Sequence, residues 1–313
     1  MKIFYAANNS LSSKIQLYRF LQYNQYDIKI ASYSNIFGSI FNLESLLNFK
    51  KDNIISYNNN YILLYDLIKR YNPDLILSDL DPYSSNIGFE LKIPVWQVSS
   101  MILNFGLTKN IKKLIKVYKK YGLLLSHNYN VNYNTIFNSD KKLIVSHFGD
   151  TKISNKILND FEWVRPYFEI GKESKNCEHN VVGVSNDNNK LFLNNLKGYN
   201  DVVVFSNLPY ESYGNIKLKD INNEAEYYCN LKNCHYFINN GEPNYLADGF
   251  YNQKSTIIFP DLHDITCILN SYLSDYLSLT SFDLNNPRSS SQVRYNTSVK
   301  FLHEHIDEFA KMI

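Results

Sequence analysis

The chain has 313 residues, a formal net charge of +2, and 44% hydrophobic against 20% charged residues. That is the balance of a globular protein of about two domains, long enough to build cores without metal or disulfide staples. It excludes a protein that is basic throughout for nucleic acid, and no apolar run approaches the ~18 residues of a membrane helix. Tyrosine occurs 26 times and phenylalanine 19 times, asparagine abounds, and lysine far outnumbers arginine. The codons for Asn, Tyr, Ile and Lys are A/T-rich, so the excess reads as genome bias and a single Tyr or Asn carries little functional weight.

In chain order, Lys2–Ala7 is an apolar run that fits a buried strand. Ser12 or Ser13 caps a following helix with Ile15, Leu17, Phe20 and Leu21 on its apolar side. Asp27–Ser34 is a second strand, Tyr61–Tyr71 an amphipathic helix ended by Asn72-Pro73, and Asp74–Asp79 a buried strand. A helix over Ser84–Lys92 and strands over Pro94–Ser99 and Lys141–Phe148 complete the first half. The second half runs strand Asn180–Ser185, helix Lys190–Leu196, strand Asp201–Ser206 and an extended piece at Asn215–Leu218. A helix over Asn223–Asn233 (capped by Asn222 or Asn223) and a strand at Tyr236–Asn239 follow. Then come a helix from Pro243, a strand at Ser255–Pro260 and a long helix over Ile265–Leu279. Val299–Met312 is a last helix. Strands alternating with helices, without two-residue hairpins, imply an α/β fold of two Rossmann-like, doubly wound domains with parallel sheets facing a cleft. The polar stretch 149–180 marks the boundary. This gives an N-terminal domain of 1–160, a C-terminal domain of 161–290, and a helix in 291–313 that packs back on the N-terminal domain.

The opening MKIFYAANNS lacks the apolar core and cleavage site of a signal peptide. Cys177, Cys229, Cys234 and Cys267 have no metal-ligand spacing. A cytoplasmic protein with free thiols and no metal is the expectation.

Ligands in such sheets bind outside the carboxyl ends of the strands, so the loops there matter most. The strand DLILSD ends in Asp79-Leu80-Asp81-Pro82. Either carboxylate is a candidate general base in a partly desolvated cleft, and Asp81-Pro82 also reads as a turn. The segment Asn240-Gly241-Glu242-Pro243 joins a strand to a helix, whose N-terminus offers N–H groups and a positive dipole to a phosphate; Glu242 is an awkward neighbour for an anion. On that helix Asp248 is placed to accept from ribose hydroxyls. His263 and Asp264, after the next strand, suit sugar hydroxyls, and Asp264 also suits a helix cap. A lysine run, Lys109–Lys120, reads as a solvated helix face or as a docking surface for an anionic partner. The first βα loop, Ala6-Ala7-Asn8-Asn9-Ser10, has no glycine, so the dinucleotide fingerprint is absent.

Two segments together carry a family resemblance. NPDLILSDLDPYSSNIGFELKIPVWQVSS is similar to the strand, S-D-F-E-P, helix, G-I-P segment of GT-B glycosyltransferases of the MurG-like, family 28 type. HYFINNGEPNYLADGFYNQKSTIIFPDLHDITCILNSYLSDYL resembles their donor-binding segment. The resemblance implies a metal-independent, inverting transfer of a sugar from a nucleoside diphosphate sugar, a UDP sugar first of all, with no further cofactor. Backbone around Asn240, Gly241 and Glu242 would meet the diphosphate, with Ser185 close to it. Asp248 would take the ribose, backbone near Ile221 the base, and His263 and Asp264 the donor's polar loop. Asp79 or Asp81 would be the base for an acceptor hydroxyl. The chain departs from the family in its glycine-free first loop, which also lacks the usual His, in Gln253 for a Gly, and in Cys267 where a hydrogen-bonding residue is usual. Three alternatives follow. One is a viral or phage enzyme glycosylating hydroxymethylated bases in DNA, with the lysine run as its DNA surface. Another is a non-catalytic nucleotide-sugar-binding protein on the same scaffold. The last is an epimerase.

Overall fold

The computed structural model describes residues 1–7, 11–32, 54–58, 60–100, 102, 139–146, 161–168, 179–184, 190–206, 212–221, 223–260, 267, 270, 271, 274 and 299–313. They fall into two compact units. Unit 1 comprises Met1–Ile111, Leu124–Pro166 and Ser298–Ile313; unit 2 comprises Lys112–Leu123 and Tyr167–Thr297.

Unit 1 is a seven-stranded sheet of β1 (Lys2–Ala7), β2 (Asp27–Ser32), β3 (Ile54–Ser56), β4 (Leu75–Ser78), β5 (Val95–Ser99), β6 (Lys141–Val145) and β7 (Glu162–Val164). The strand order is β3-β2-β1-β4-β5-β6-β7, and every pairing is parallel. β1, β4 and β5 are buried almost without interruption, as strands covered on both faces must be. Alternation along β1 sends Phe4 and Ala6 to one face, where they pack with Leu64 and Ile68 of α2 (Tyr61–Tyr71) and Ile87 of α3 (Pro82–Leu91). Tyr5 goes to the other face, its ring 6.1 Å from Phe20 of α1 (Leu11–Tyr23). α2 has the expected bounds because both its ends are chemically marked. Asn60 accepts from the Leu63 N–H, and Asn72 closes the helix in the left-handed region.

Unit 2 has β8 (Val181–Val184), β9 (Val202–Ser206), β10 (Ser212–Tyr213), β11 (Ile216–Asp220), β12 (Tyr236–Asn239) and β13 (Ser255–Ile258), in the order β10-β11-β9-β8-β12-β13. Its helices are α4 (Lys190–Leu196), α5 (Glu224–Asn233) and α6 (Pro243–Tyr251). Val202, Val204 and Ile238 pack with Phe192 and Leu196 of α4. On the opposite face the Tyr227 ring of α5 stands 5.3 Å from Phe205. The last helix, α7 (Leu302–Ala310), belongs to unit 1, where Phe309 packs edge-on against Trp96 at 5.2 Å.

Four expectations change. A β10–β11 hairpin exists, antiparallel, turning at Gly214-Asn215; Gly214, at φ +64, supplies the turn. Two short edge strands, β3 and β7, join unit 1 from stretches without a strand pattern. α3 begins at Pro82 rather than Ser84, because Asp81 caps it and proline suits its first position. Cys229 is disulfide-bonded rather than a thiol, while Cys234 and Cys267 are buried thiols outside any disulfide. No helix among the described residues is long and apolar enough to cross a membrane.

Candidate functional site

In both sheets the first five strands in chain order, excluding the β10 hairpin arm, run 3-2-1-4-5. The order therefore reverses between β1 and β4 in unit 1 and between β8 and β12 in unit 2. Such a reversal opens a crevice beyond the strand ends, where ligands of parallel sheets bind. β4 and β12 leave their crevices through the same five-residue turn: Ser78-Asp79-Leu80-Asp81-Pro82 and Asn239-Asn240-Gly241-Glu242-Pro243. In each the third residue has positive φ, +54 at Leu80 and +88 at Gly241. In each the fourth is an acidic helix cap and the fifth a proline opening the helix.

In unit 1 the turn is fixed by side chains. Asp81 Oδ1 accepts from the Ser84 N–H at 2.6 Å, and its Oδ2 takes a short hydrogen bond from the Tyr57 hydroxyl. Gln97 Oε1 accepts from the Leu80 N–H at 3.0 Å and its Nε2 donates to Ser85 Oγ at 2.5 Å, which holds Leu80 in its uncommon conformation. Both oxygens of Asp81 are thus engaged in building the turn. Asp79 differs. It is only 4% exposed, and its Oδ1 has no hydrogen-bond partner among the described residues. Burial pushes its carboxyl from the ordinary 3.8 up to about 6; the Ser13 and Ser99 hydroxyls pull it back, and the neighbouring Asp81 charge pushes it up again. Gln16, one turn beyond Ser13 on α1, is buried with neither amide atom partnered among the described residues.

In unit 2 the turn is tighter. Asn239 Oδ1 accepts from the Gly241 N–H at 2.7 Å and Asn240 Oδ1 from the Glu242 N–H at 3.3 Å. Glu242 Oε2 accepts from the Tyr245 N–H at 2.9 Å, and Oε1 from Asn244 Nδ2 at 2.7 Å. Glycine suits position 241 by its positive φ and is required by a carbonyl of Cys267 that a Cβ here would meet at 2.5 Å. Asn270 Nδ2 donates to the Gly241 carbonyl at 2.9 Å. The N–H groups of Gly241 and Glu242, expected to face a diphosphate, are therefore spent within the protein.

Asp248 is fully buried; its Oδ2 accepts from the Tyr227 hydroxyl at 3.1 Å. The Ile221 N–H donates to the Ser206 carbonyl at 3.2 Å. Ser185, His263, Asp264 and the run Lys109–Lys120 lie outside the described residues. Ser99, Gln16 and Asn239 were not singled out from the sequence. Only Ser99 and Asn239 carried a signal, since each ends a strand at its carboxyl end.

No family model matches the chain, and no curated protein matches it significantly. Solved structures do. A UDP-glucosyltransferase from Polygonum tinctorium aligns with a TM-score of 0.57 at 11% identity, over 93% of this chain and 87% of that one. S. aureus MnaA, solved with UDP, gives 0.57 at 12% identity over 100% and 97%. The UDP-GlcNAc 2-epimerase from Neisseria meningitidis, bound to UDP-GlcNAc, gives 0.54 at 12% identity over 100% of both chains. Two Rossmann-like units, each with its own switch-point crevice, and this likeness along nearly the whole length make the architecture of the chain that of the GT-B fold.

Proposed function

We propose that the protein is a glycosyltransferase that moves a sugar from a nucleoside diphosphate sugar, a UDP sugar, to an acceptor hydroxyl. Unit 2 takes the diphosphate at the β12–α6 turn, and Asp79 of unit 1 is the general base. The observation that carries this reading is Asp79 itself, a carboxylate buried at the switch point with one oxygen unpartnered among the described residues, its carboxyl pushed by burial up to about 6. A base so tuned is ionised at neutral pH yet holds a proton well enough to take one from a hydroxyl. In the reaction the acceptor oxygen bonds to the anomeric carbon and the bond from that carbon to the phosphate oxygen breaks. The electron pair leaves on the phosphate, and the acceptor proton passes to Asp79. Asp81 has the different task of holding the turn. Calorimetry with a panel of nucleoside diphosphates tests the reading. Binding of UDP supports it, and binding of none of them removes it.

A second reading, epimerisation of the nucleotide sugar, is favoured by one observation. The epimerase from Neisseria is covered end to end by this chain, whereas the glucosyltransferase extends beyond it. NMR of a nucleotide sugar incubated without acceptor separates the two: an inverted ring carbon in a still-linked nucleotide sugar indicates epimerisation.

A further inference from the structure

Much of the α6 N-terminus is occupied from within. Pro243 has no N–H, and the N–H groups of Gly241, Glu242 and Tyr245 are taken by Asn239, Asn240 and Glu242 side-chain oxygens. Those bonds also fix how the two asparagines face. Flipping either amide would set its NH2 against a backbone N–H, so the oxygens point inward and the NH2 groups point away. Asn239 and Asn240 are fully buried, and neither Nδ2 has a partner among the described residues. Two neutral donors thus await an acceptor, with the Glu242 carboxylate beside them at 2% exposure.

We propose that Glu242 sets the charge preference of this site. It lets the asparagine amides hold the nucleotide sugar, and it drives out the nucleoside diphosphate that transfer leaves behind. This rests on the reading that the β12–α6 turn meets the donor's diphosphate. Breaking the sugar–oxygen bond leaves its electron pair on the phosphate, while the acceptor's proton goes to Asp79 and then to solvent. A phosphate carrying one negative charge becomes a terminal phosphate carrying close to two at neutral pH. The added charge appears beside a buried carboxylate, where repulsion is weakly screened. The first unit displays the same effect in miniature: the capping Asp81, at the position equivalent to Glu242, raises the carboxyl of Asp79, at the position equivalent to Asn240.

The test is Glu242→Gln, which removes the charge and keeps an oxygen for the Tyr245 N–H, the Asn244 amide turning over so that its oxygen accepts from the new NH2, with Glu242→Asp as the charge-keeping control. Titration calorimetry with UDP and with UDP-glucose is run on all three proteins. Glu242→Gln should bind UDP on the order of tenfold tighter and UDP-glucose only about threefold tighter than the parent, as two charges against one require. Inhibition by UDP should strengthen in parallel, and Glu242→Asp, which keeps the charge, should keep the parent's preference between the two ligands. Equal tightening of both ligands, no change in either, or the same shift of preference toward UDP in Glu242→Asp overturns the proposal. If neither ligand binds any of the three proteins, the donor-site reading falls first and this inference falls with it.

Discussion

The turns after β4 and β12 are built alike and equipped differently. Each leaves a switch point, passes through a residue at positive φ, and ends on an acidic cap followed by proline. At the second position unit 1 places Asp79, whose burial raises its carboxyl, and unit 2 places Asn240, whose amide nitrogen is an unpartnered donor among the described residues. One backbone solution thus presents a proton acceptor in one unit and hydrogen-bond donors in the other. In the proposed function a single side chain on a shared scaffold decides the chemistry, while the cap keeps the scaffold in place.

The largest way to break this contrast is Asp79→Asn, which gives unit 1 the amide of unit 2. We expect transfer to fall on the order of 100-fold or more. The parent's rate should rise with pH and level off above about 6, where Asp79 is ionised. Stability should move oppositely. The folded pKa lies above the ordinary value, so the folded state binds the proton more tightly than the unfolded chain. That contribution is complete below 3.8 and is lost as pH rises through about 6. The loss is at most about 3 kcal/mol. Urea melts of Asp79→Asn should therefore show a gain over the parent at pH 8 that vanishes at pH 4. A difference between Asp79→Asn and the parent that is flat across that range would remove the buried-base assignment; the difference is the readout because His305, its pKa lowered by burial, moves the parent's stability the other way.

Gly241→Ala tests the shared backbone. Leu80 carries a side chain at positive φ, so that conformation alone does not demand glycine. At 241 the added Cβ also meets the Cys267 carbonyl at 2.5 Å. Left-handed strain and the clash together should destabilise unit 2 by about 3 kcal/mol, read as an earlier unfolding midpoint. A smaller expected effect comes from Asn240→Asp, which gives unit 2 the carboxylate of unit 1. UDP binding should weaken on the order of tenfold by calorimetry, while the Glu242 N–H keeps an oxygen to donate to.

The limits of reading this pairing from sequence have physical causes. The central strands were legible because parallel strands buried on both faces are continuous apolar runs, as in Leu75–Ser78 and Val202–Ser206. α2 was legible from its amphipathic spacing and from Asn72-Pro73 at its end, while the Asn60 cap at its start emerged from the structure. β3 and β7, three residues each, are strands only because a neighbour's edge pairs with them. The two turns share a single identical residue, the proline. Their kinship lies in φ at Leu80 and Gly241, and nothing in a leucine announces a left-handed backbone. Gln16 was invisible for another reason. Its burial is set by packing of α1 on the sheet, whereas a glutamine in a helix usually faces water.

The finest distinction lies between the two carboxylates of unit 1, and Asp81→Asn resolves it. Asparagine is as good a helix cap as aspartate, so the bond to the Ser84 N–H survives and the Tyr57 hydroxyl keeps a polar neighbour. What changes is the charge. That charge is one of the two causes raising Asp79, the weaker one beside burial. Removing it lowers the Asp79 pKa, so the acid limb of the kcat/KM profile should move to lower pH while the plateau rate stays close to the parent's. The displacement stays small because burial, untouched by the substitution, still holds the carboxyl above its ordinary range. If the plateau itself collapsed at every pH, Asp81 would be the proton acceptor and Asp79 its buried support, and the roles drawn from the engaged oxygens of one and the unpartnered oxygen of the other would have to be exchanged.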